Sequence, residues 1–280
     1  MVVHERAYAK INLYLNVTAK RPDGFHDIET VMQTVSLCDE LAVSLTPADR
    51  AEVHLFVRGA DLPTDSSNVV TRAAELYLAR SGKVGHIDIS LVKRIPIAAG
   101  LAGGSADAAA TLRAMNKLFN DYFSDSELLE LASELGSDVP FCLHGGCALC
   151  RGRGEIVEPL SPTLNHHLVI AIADGEQVST PLAYRALDAM YSDFDGSVKN
   201  DAPAISELYN VFENAVFTTC SGAERLKERM LALGATASLM SGSGPSVFGI
   251  FDNESSARAA VDAISAESAR AFYARTVDRS

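Results

Sequence analysis

The stretch PIAAGLAGGSADAAA, residues 96–110, decides how the rest of the chain is read. Ahead of it Ile87, Ile89 and Leu91 alternate with polar neighbours over His86–Lys93, the period-two mark of a strand. Behind it an alanine-rich run predicts a helix from about Ser105 to Phe119. Between them Gly100, Gly103 and Gly104 permit positive φ and close backbone approach. The order strand, small-residue loop, helix brings unpaired N–H groups and the positive end of a helix dipole together, which suits phosphate. No Gly-Lys-Ser/Thr follows, and the G-x-G-x-x-G spacing is absent. On its own chemistry the loop is either a phosphate cradle or a tight turn packed on a neighbour.

Upstream, Ala7, Ala9, Ile11, Leu13, Leu15 and Val17 share one parity, and Tyr8, Lys10, Asn12, Tyr14 and Asn16 share the other. Residues 7–17 therefore read as a half-buried strand with Lys10 and Asn12 on its polar face. Further strands are predicted at 41–46 and 52–58, and a helix at 67–81 closed by Gly82. Downstream, Ser124-x-x-Glu127 is a capping box opening a helix that stops at Gly136, and residues 141–150 read as a strand. The turn-rich RGRGE and SPTLNHH segments mark a boundary near residue 155, dividing the chain into 1–155 and 156–280. Beyond it come a buried strand at 168–173 and a helix opened by Thr180 with Pro181 in its first turn. Helices at 203–217 and 221–234 follow, then strands at 235–240 and 247–251 flanking the loop SGSGPS. A helix to about residue 266 and a strand at 270–277 close the pattern. Strands and helices mix without a regular βαβ rhythm, which predicts an α+β protein.

Composition narrows the function classes. With 280 residues, 48% apolar and 21% charged, the chain has enough apolar surface for one or two folded domains. Its longest clean apolar run, Leu168–Ala173, is far short of the roughly 20 residues a bilayer needs, and MVVHERAYAK does not read as a secretory signal, so the expectation is a cytoplasmic protein with no membrane partner. A net charge of −12 argues against nucleic acid, since Lys93-Arg94 and Arg151/Arg153 are too small a basic track. The five cysteines are odd in number and cytosolic in context, which argues against a disulfide framework. Cys142, Cys147 and Cys150 have part of an iron–sulfur spacing, but their flanks are apolar and they read as small buried hydrophobes.

Several polar residues carry two readings each. Asp138, in Gly136-Ser-Asp-Val-Pro140, is a turn cap or a general base. Lys10 is a solvated strand lysine or a cation that keeps a carboxylate ionised and meets phosphoryl charge. His26, in a loop beside Phe25, is a surface histidine or a reader of a planar base. The loop Ser241–Ser246 is a second anion contact or a plain hairpin connection.

Three segments taken together resemble the signature motifs of the GHMP small-molecule kinases, in order and spacing: AYAKINLYLNV (7–17), IPIAAGLAGGSADAAA (95–110) and LMSGSGPSVFGIF (239–251). Three more, RPDGFHDIETVM (21–32), GSDVPFCLHGGCALCRGRGE (136–155) and VSTPLAY (178–184), resemble the branch whose substrate is diphosphocytidyl methylerythritol, in the non-mevalonate route to isoprenoid precursors. The resemblance implies an N-terminal nucleotide-binding α+β domain, a C-terminal ferredoxin-like domain and a cleft between them. It implies Asp138 as base and Lys10 as its partner. It implies ATP-phosphate contacts from Pro96, Ile97, Ala98, Ala99, Gly100, Leu101, Ala102, Gly103, Gly104, Ser105 and Ala106. Asn12, Phe25, His26, Thr180 and Tyr184 match substrate contacts, with residues 25 and 184 on opposite faces of the cytosine. Mg²⁺ is expected to arrive on ATP with no dedicated protein site, and the chain to be a monomer or weak homodimer. Three departures stand out. Phe25 replaces a common tyrosine; Ala102 replaces a frequent glycine and calls for negative φ; Ala106 replaces a frequent serine.

Overall fold

A long antiparallel ribbon, β1 (Val2–Lys20) against β2 (His26–Thr46), organises the N-terminal half of the computed structural model, which describes residues 1–160, 166–191, 203–267 and 269–278. β2 pairs along its outer half with β4 (Gly85–Val92), which is flanked in parallel by the edge strand β3 (Ala51–Arg58). Near its start β2 also pairs with β5 (Cys147–Arg151), which turns back onto β6 (Ile156–Pro159). On one face lie α1 (Val69–Ser81), α2 (Gly103–Leu118), α3 (Asp125–Leu135) and α4 (Val139–His144). α2 is central: Ala106, Ala108, Ala109, Ala110 and Ala114 are buried, and small side chains let its backbone lie close to sheet and helices alike. Asn68 caps α1, accepting from the Val70 N–H, and Gly82 ends it at φ 63°. The Ser124–Glu127 capping box opens α3 as read from sequence.

The C-terminal sheet contains β7 (His167–Ala173), β9 (Ala237–Met240), β10 (Val247–Phe251) and β11 (Ala269–Arg275), in the order β11-β7-β10-β9 and antiparallel throughout. With α7 (Ser221–Ala232) and α8 (Glu254–Ser265) it gives the βαββαβ order of a ferredoxin-like unit. β7 is buried on both faces, which explains its unbroken apolar run: Val169 and Ala171 face α7 and α8, while Leu168, Ile170 and Ile172 join Ala9, Ile11 and Leu13 of β1 in the core between the sheets.

Four expectations differ from the structure. β1 is not half-buried, because its polar parity, including Lys10, Asn12 and Asn16, is covered as well. β2 begins at His26 rather than residue 41; helices pack on one face and the C-terminal sheet on the other, so its polar Glu29, Thr30, Gln33 and Thr34 are interior and mask any alternation. Residues 141–144 are helical, since Pro140 fits a helix first turn, and positive φ at Gly145 and Gly146 separates that helix from β5. Residues 203–217 are not one helix: a 3₁₀ turn (Ile205–Glu207), β8 (Tyr209–Asn210) and α6 (Glu213–Phe217) replace it. There Asn210 donates to the Met240 and Gly242 carbonyls and accepts from the Phe212 N–H, and tertiary bonding overrides helical propensity. β6 pairs back onto β5, and β8 joins β1 in the first sheet. Part of the SPTLNHH segment lies outside the described residues.

Candidate active site

A cleft of about 1120 Å³ is lined by β1, the start of β2, the 96–105 loop, Asp138, the first turns of α5 (Thr180–Met190) and the 241–246 loop. Irregularities in the β1–β2 register fall between Tyr8 and Lys10 and between Asn12 and Tyr14, and such bulges re-aim side chains. Lys10, 3% exposed, donates to the Asn12 Oδ1 at 2.7 Å and to the Gly100 carbonyl at 2.8 Å. Its Nζ lies 3.8 Å from the Asp138 Oδ2. Asn12 donates in turn to the Thr30 Oγ1 at 2.7 Å, and Thr30 donates to the Tyr14 carbonyl at 2.6 Å. Asp138 occupies the N-cap position of α4 but its side chain makes no capping bond, so the carboxylate faces Lys10 and the cleft. Lysine, asparagine and carboxylate thus meet at one point, held by backbone from three segments.

The phosphate-loop candidate leads directly into α2. Ala102 is its N-cap and offers no side-chain cap, so the N–H groups at Gly103–Ser105 point at the cleft without a protein side-chain partner at the cap. Ala102 sits at φ 55° and Ala98 at φ 53°, both left-handed. The negative φ expected at Ala102 is therefore wrong: the loop must turn there to aim the helix end, and the alanine bears the strain. Pro96 through Ser105 line the cleft. Ala106 does not; it is buried on the core side of α2, where a methyl group fits and a hydroxyl would need a partner. The 241–246 loop is a hairpin connection that also grips this segment: Ser241 donates to the Gly100 carbonyl at 3.0 Å, and Ser246 donates to the Ala99 carbonyl. Gly242 and Ser243 reach the cleft wall, and Ser243 hydrogen-bonds Thr180 at 2.9 Å.

At the other end, the His26 ring stacks on Tyr184, with centroids 4.7 Å apart and planes 24° apart, and Tyr184 meets Phe212 edge-on. Burial pushes the Tyr184 phenol well above its ordinary range. Phe25, 53% exposed, lies at the mouth beneath the Arg153 guanidinium, on a turn where the Phe25 N–H donates to Asp23. His26 is not a loop residue but the buried first residue of β2, and its Nε2 lies 2.7 Å from the Asp188 Oδ1. Asp188 also accepts from Lys20 at 2.5 Å. Burial works against its charge, yet these two partners prevail and hold its carboxyl below the ordinary range. Sequence reading missed Asp188, although Thr180, Tyr184 and Asp188 recur every four residues on one face of α5.

It also missed a buried charge cluster under the loop. Lys93 donates to Asp107 at 2.7 Å and to Asp39, and Asp39 accepts from the Ile95 N–H at 2.8 Å. Burial raises the Asp107 carboxyl to about 8 against the pull of Lys93, with Asp39 adding to the rise. The three carboxylates that line the cleft, Asp138, Asp107 and Asp188, therefore each face a lysine.

A strand-borne lysine, an uncapped helix start over a glycine loop and a ferredoxin-like second half define a kinase of the GHMP class, and the chain matches the family models for the GHMP kinases N terminal domain over residues 68–146 and the GHMP kinases C terminal over residues 186–270. Over 267 residues it is 45% identical to a 4-diphosphocytidyl-2-C-methyl-D-erythritol kinase of Pelotomaculum thermopropionicum, covering 92% of each chain. The corresponding kinase of Bacillus subtilis is 43% identical over 91% of this chain and 90% of its own. A crystal structure of 4-(cytidine 5'-diphospho)-2C-methyl-D-erythritol kinase superposes with a TM-score of 0.82 at 36% identity, covering 98% and 99% of the two chains. The chain belongs to the 4-diphosphocytidyl-2-C-methyl-D-erythritol kinase family, enzymes that transfer phosphate to an alcohol. Mevalonate kinase of L. major, 14% identical with a TM-score of 0.73, shares the fold. Among the described residues no helix is long and apolar enough to cross a membrane.

Proposed function

We propose that this enzyme transfers the ATP γ-phosphoryl group to the tertiary 2-hydroxyl of 4-diphosphocytidyl-2-C-methyl-D-erythritol, in the non-mevalonate route to isoprenoid precursors. The observation that carries this is the Lys10–Asp138 pair, 3.8 Å apart in a cleft that also contains the uncapped start of α2. Asp138 accepts the hydroxyl proton as the substrate oxygen bonds to the γ-phosphorus, and the bond from that phosphorus to the β-phosphate oxygen breaks to release ADP. Lys10 keeps Asp138 ionised and meets the charge on the equatorial phosphoryl oxygens. The loop Pro96–Ser105 and the first N–H groups of α2 hold the phosphates. When bound, Mg²⁺ neutralises charge on the β- and γ-phosphates; ATP carries it, since each carboxylate lining the cleft already faces a lysine. The N-terminal domain binds ATP, and Thr180, Tyr184 and Asp188 from the C-terminal half meet His26 and Phe25 around the nucleobase.

The test is ADP release with ATP, Mg²⁺ and the cytidyl substrate, run beside homoserine, mevalonate and galactose. Turnover is expected with the cytidyl substrate alone, and Asp138→Asn should lower kcat about 10²–10⁴-fold while ATP still binds. Turnover with another alcohol instead would overturn the substrate, and an active Asp138→Asn would overturn the base.

A further inference from the structure

Away from the cleft, the outer face of β3 and β4 gathers two histidines and two carboxylates. The strands are parallel, with Glu52 beside His86 and His54 beside Asp88. Leu55, Ile87 and Ile89 point into the core, so the alternating residues Glu52, His54, His86 and Asp88 share the open face. Each of Glu52, His54 and His86 offers one ligand atom, and these atoms lie within 4.8 Å of one another. The imidazoles of His54 and His86 stack with centroids 4.6 Å apart.

We propose that Glu52, His54 and His86 form a site for one divalent transition-metal ion of the zinc type, with water in the fourth position. The Glu52 Oε2 and the His86 Nδ1 lie 3.3 Å apart. Donors about 2.0–2.1 Å from a tetrahedral ion stand about 3.4 Å from each other, so this pair already has ligand spacing. The other His86 nitrogen, Nε2, lies 3.1 Å from the Asp88 Oδ1, which fixes the ring with Nδ1 turned to Glu52. A carboxylate behind a ligating histidine is the usual outer support of such sites. The second Glu52 oxygen is held by Arg50 at 2.7 Å. His54 is exposed and closes the triad by side-chain rotation. Two imidazoles and one carboxylate select zinc, cobalt or nickel over Mg²⁺, which prefers oxygen donors. His86 and Lys93 are separated by roughly 23 Å of extended chain, so this site stands apart from the kinase cleft.

Calorimetric titration of the intact enzyme with Zn²⁺ in excess Mg²⁺ tests the site, and a Co²⁺ titration reads coordination number from its visible spectrum. One Zn²⁺ per chain and a four-coordinate Co²⁺ spectrum are expected. His54→Ala and Glu52→Gln should each weaken Zn²⁺ binding at least tenfold, while kinase turnover is unchanged; loss of even an outer-shell partner costs about 10–100-fold. Both positions are on the surface side of the sheet, so folding of these variants is read directly from their retained turnover. No stoichiometric binding by the wild type, or unchanged affinity in both variants, overturns the proposal.

Discussion

Replacing Gly100 by alanine strikes the point where the phosphate loop, the 241–246 loop and Lys10 meet. Gly100 has φ +75°, and a Cβ there would stand 2.1 Å from the Ser241 carbonyl oxygen and 3.1 Å from the Gly244 nitrogen. Both are backbone atoms, so no rotamer relieves the contact, and the loops must part by more than an ångström. The left-handed conformation costs alanine about 1–2 kcal/mol. Parting the loops also breaks the Ser241 bond to the Gly100 carbonyl and frees that carbonyl from Lys10. A neutral hydrogen bond contributes about 1 kcal/mol and one to a charged group about 1.5–3. A stiffer unfolded chain returns up to about 1 kcal/mol, which leaves a net loss of about 2.5–6 kcal/mol. Urea unfolding should show a lower midpoint with an unchanged slope, and kcat should fall because Lys10 loses a positioning acceptor. Gly104→Ala is the control: its Cβ meets only the Val69 Cγ1 at 3.7 Å, and stability should hold or rise by up to about 1 kcal/mol. A Gly100→Ala enzyme within about 1 kcal/mol of wild type and with full kcat would refute the reasoning.

Two further outcomes follow from the charged groups. Asp188→Asn removes the carboxylate that holds His26 and Lys20, and because Asp188 is part-exposed the loss should be about 1–2 kcal/mol, read as a KM for the cytidyl substrate raised about 5–30-fold with KM for ATP and kcat unchanged; an equal rise in both KM values would contradict it. Asp107 has a folded pKa near 8 against 3.8 unfolded, so the folded state binds its proton more tightly and wild-type stability is lost as pH rises across that window. The disadvantage of Asp107→Asn should therefore shrink between about pH 4 and pH 8 and then level, measured as the difference in unfolding free energy; a disadvantage that grows with pH would sink the assignment.

The parts legible in the sequence were those whose signals are local. Capping chemistry placed α1 and α3, and alternation placed β3 and β4, because each of these elements has one wet face. β2 was not legible as one strand, since helices cover one face and the C-terminal sheet the other, which leaves Glu29, Thr30, Gln33 and Thr34 interior. Residues 203–217 misread as helix because Asn210 finds its partners in the 240–242 backbone, a contact that no window of sequence contains. In the candidate site, the small-residue loop and Lys10 were visible as features, but their meeting was not. Asp188 had a spacing signal on α5 and lacked only a reason to be sought.

Two buried lysines near the loop show why residue type alone cannot assign a role. Lys93 lies between Asp39, whose charge offsets its own, and Asp107, whose carboxyl is kept protonated by burial below about pH 8. Its work is to tie the end of β4 to α2, and it has no charge left over for a ligand. Lys10 has one carboxylate, and at 3.8 Å that contact is loose. Its nearer partners, the Asn12 amide oxygen and the Gly100 carbonyl, are neutral. They satisfy the ammonium's geometry without cancelling its charge, which suits Lys10 to the phosphoryl-facing role proposed for it. Two donors on a tetrahedral head meet acceptors from β1 and the 96–105 loop, and the third side of the head lies toward Asp138 at the start of α4, 3.8 Å away. A planar guanidinium does not fit that fork, so arginine would keep the charge and lose the placement. The difference between the two lysines lies in the company each keeps, and that company is assembled only by the fold.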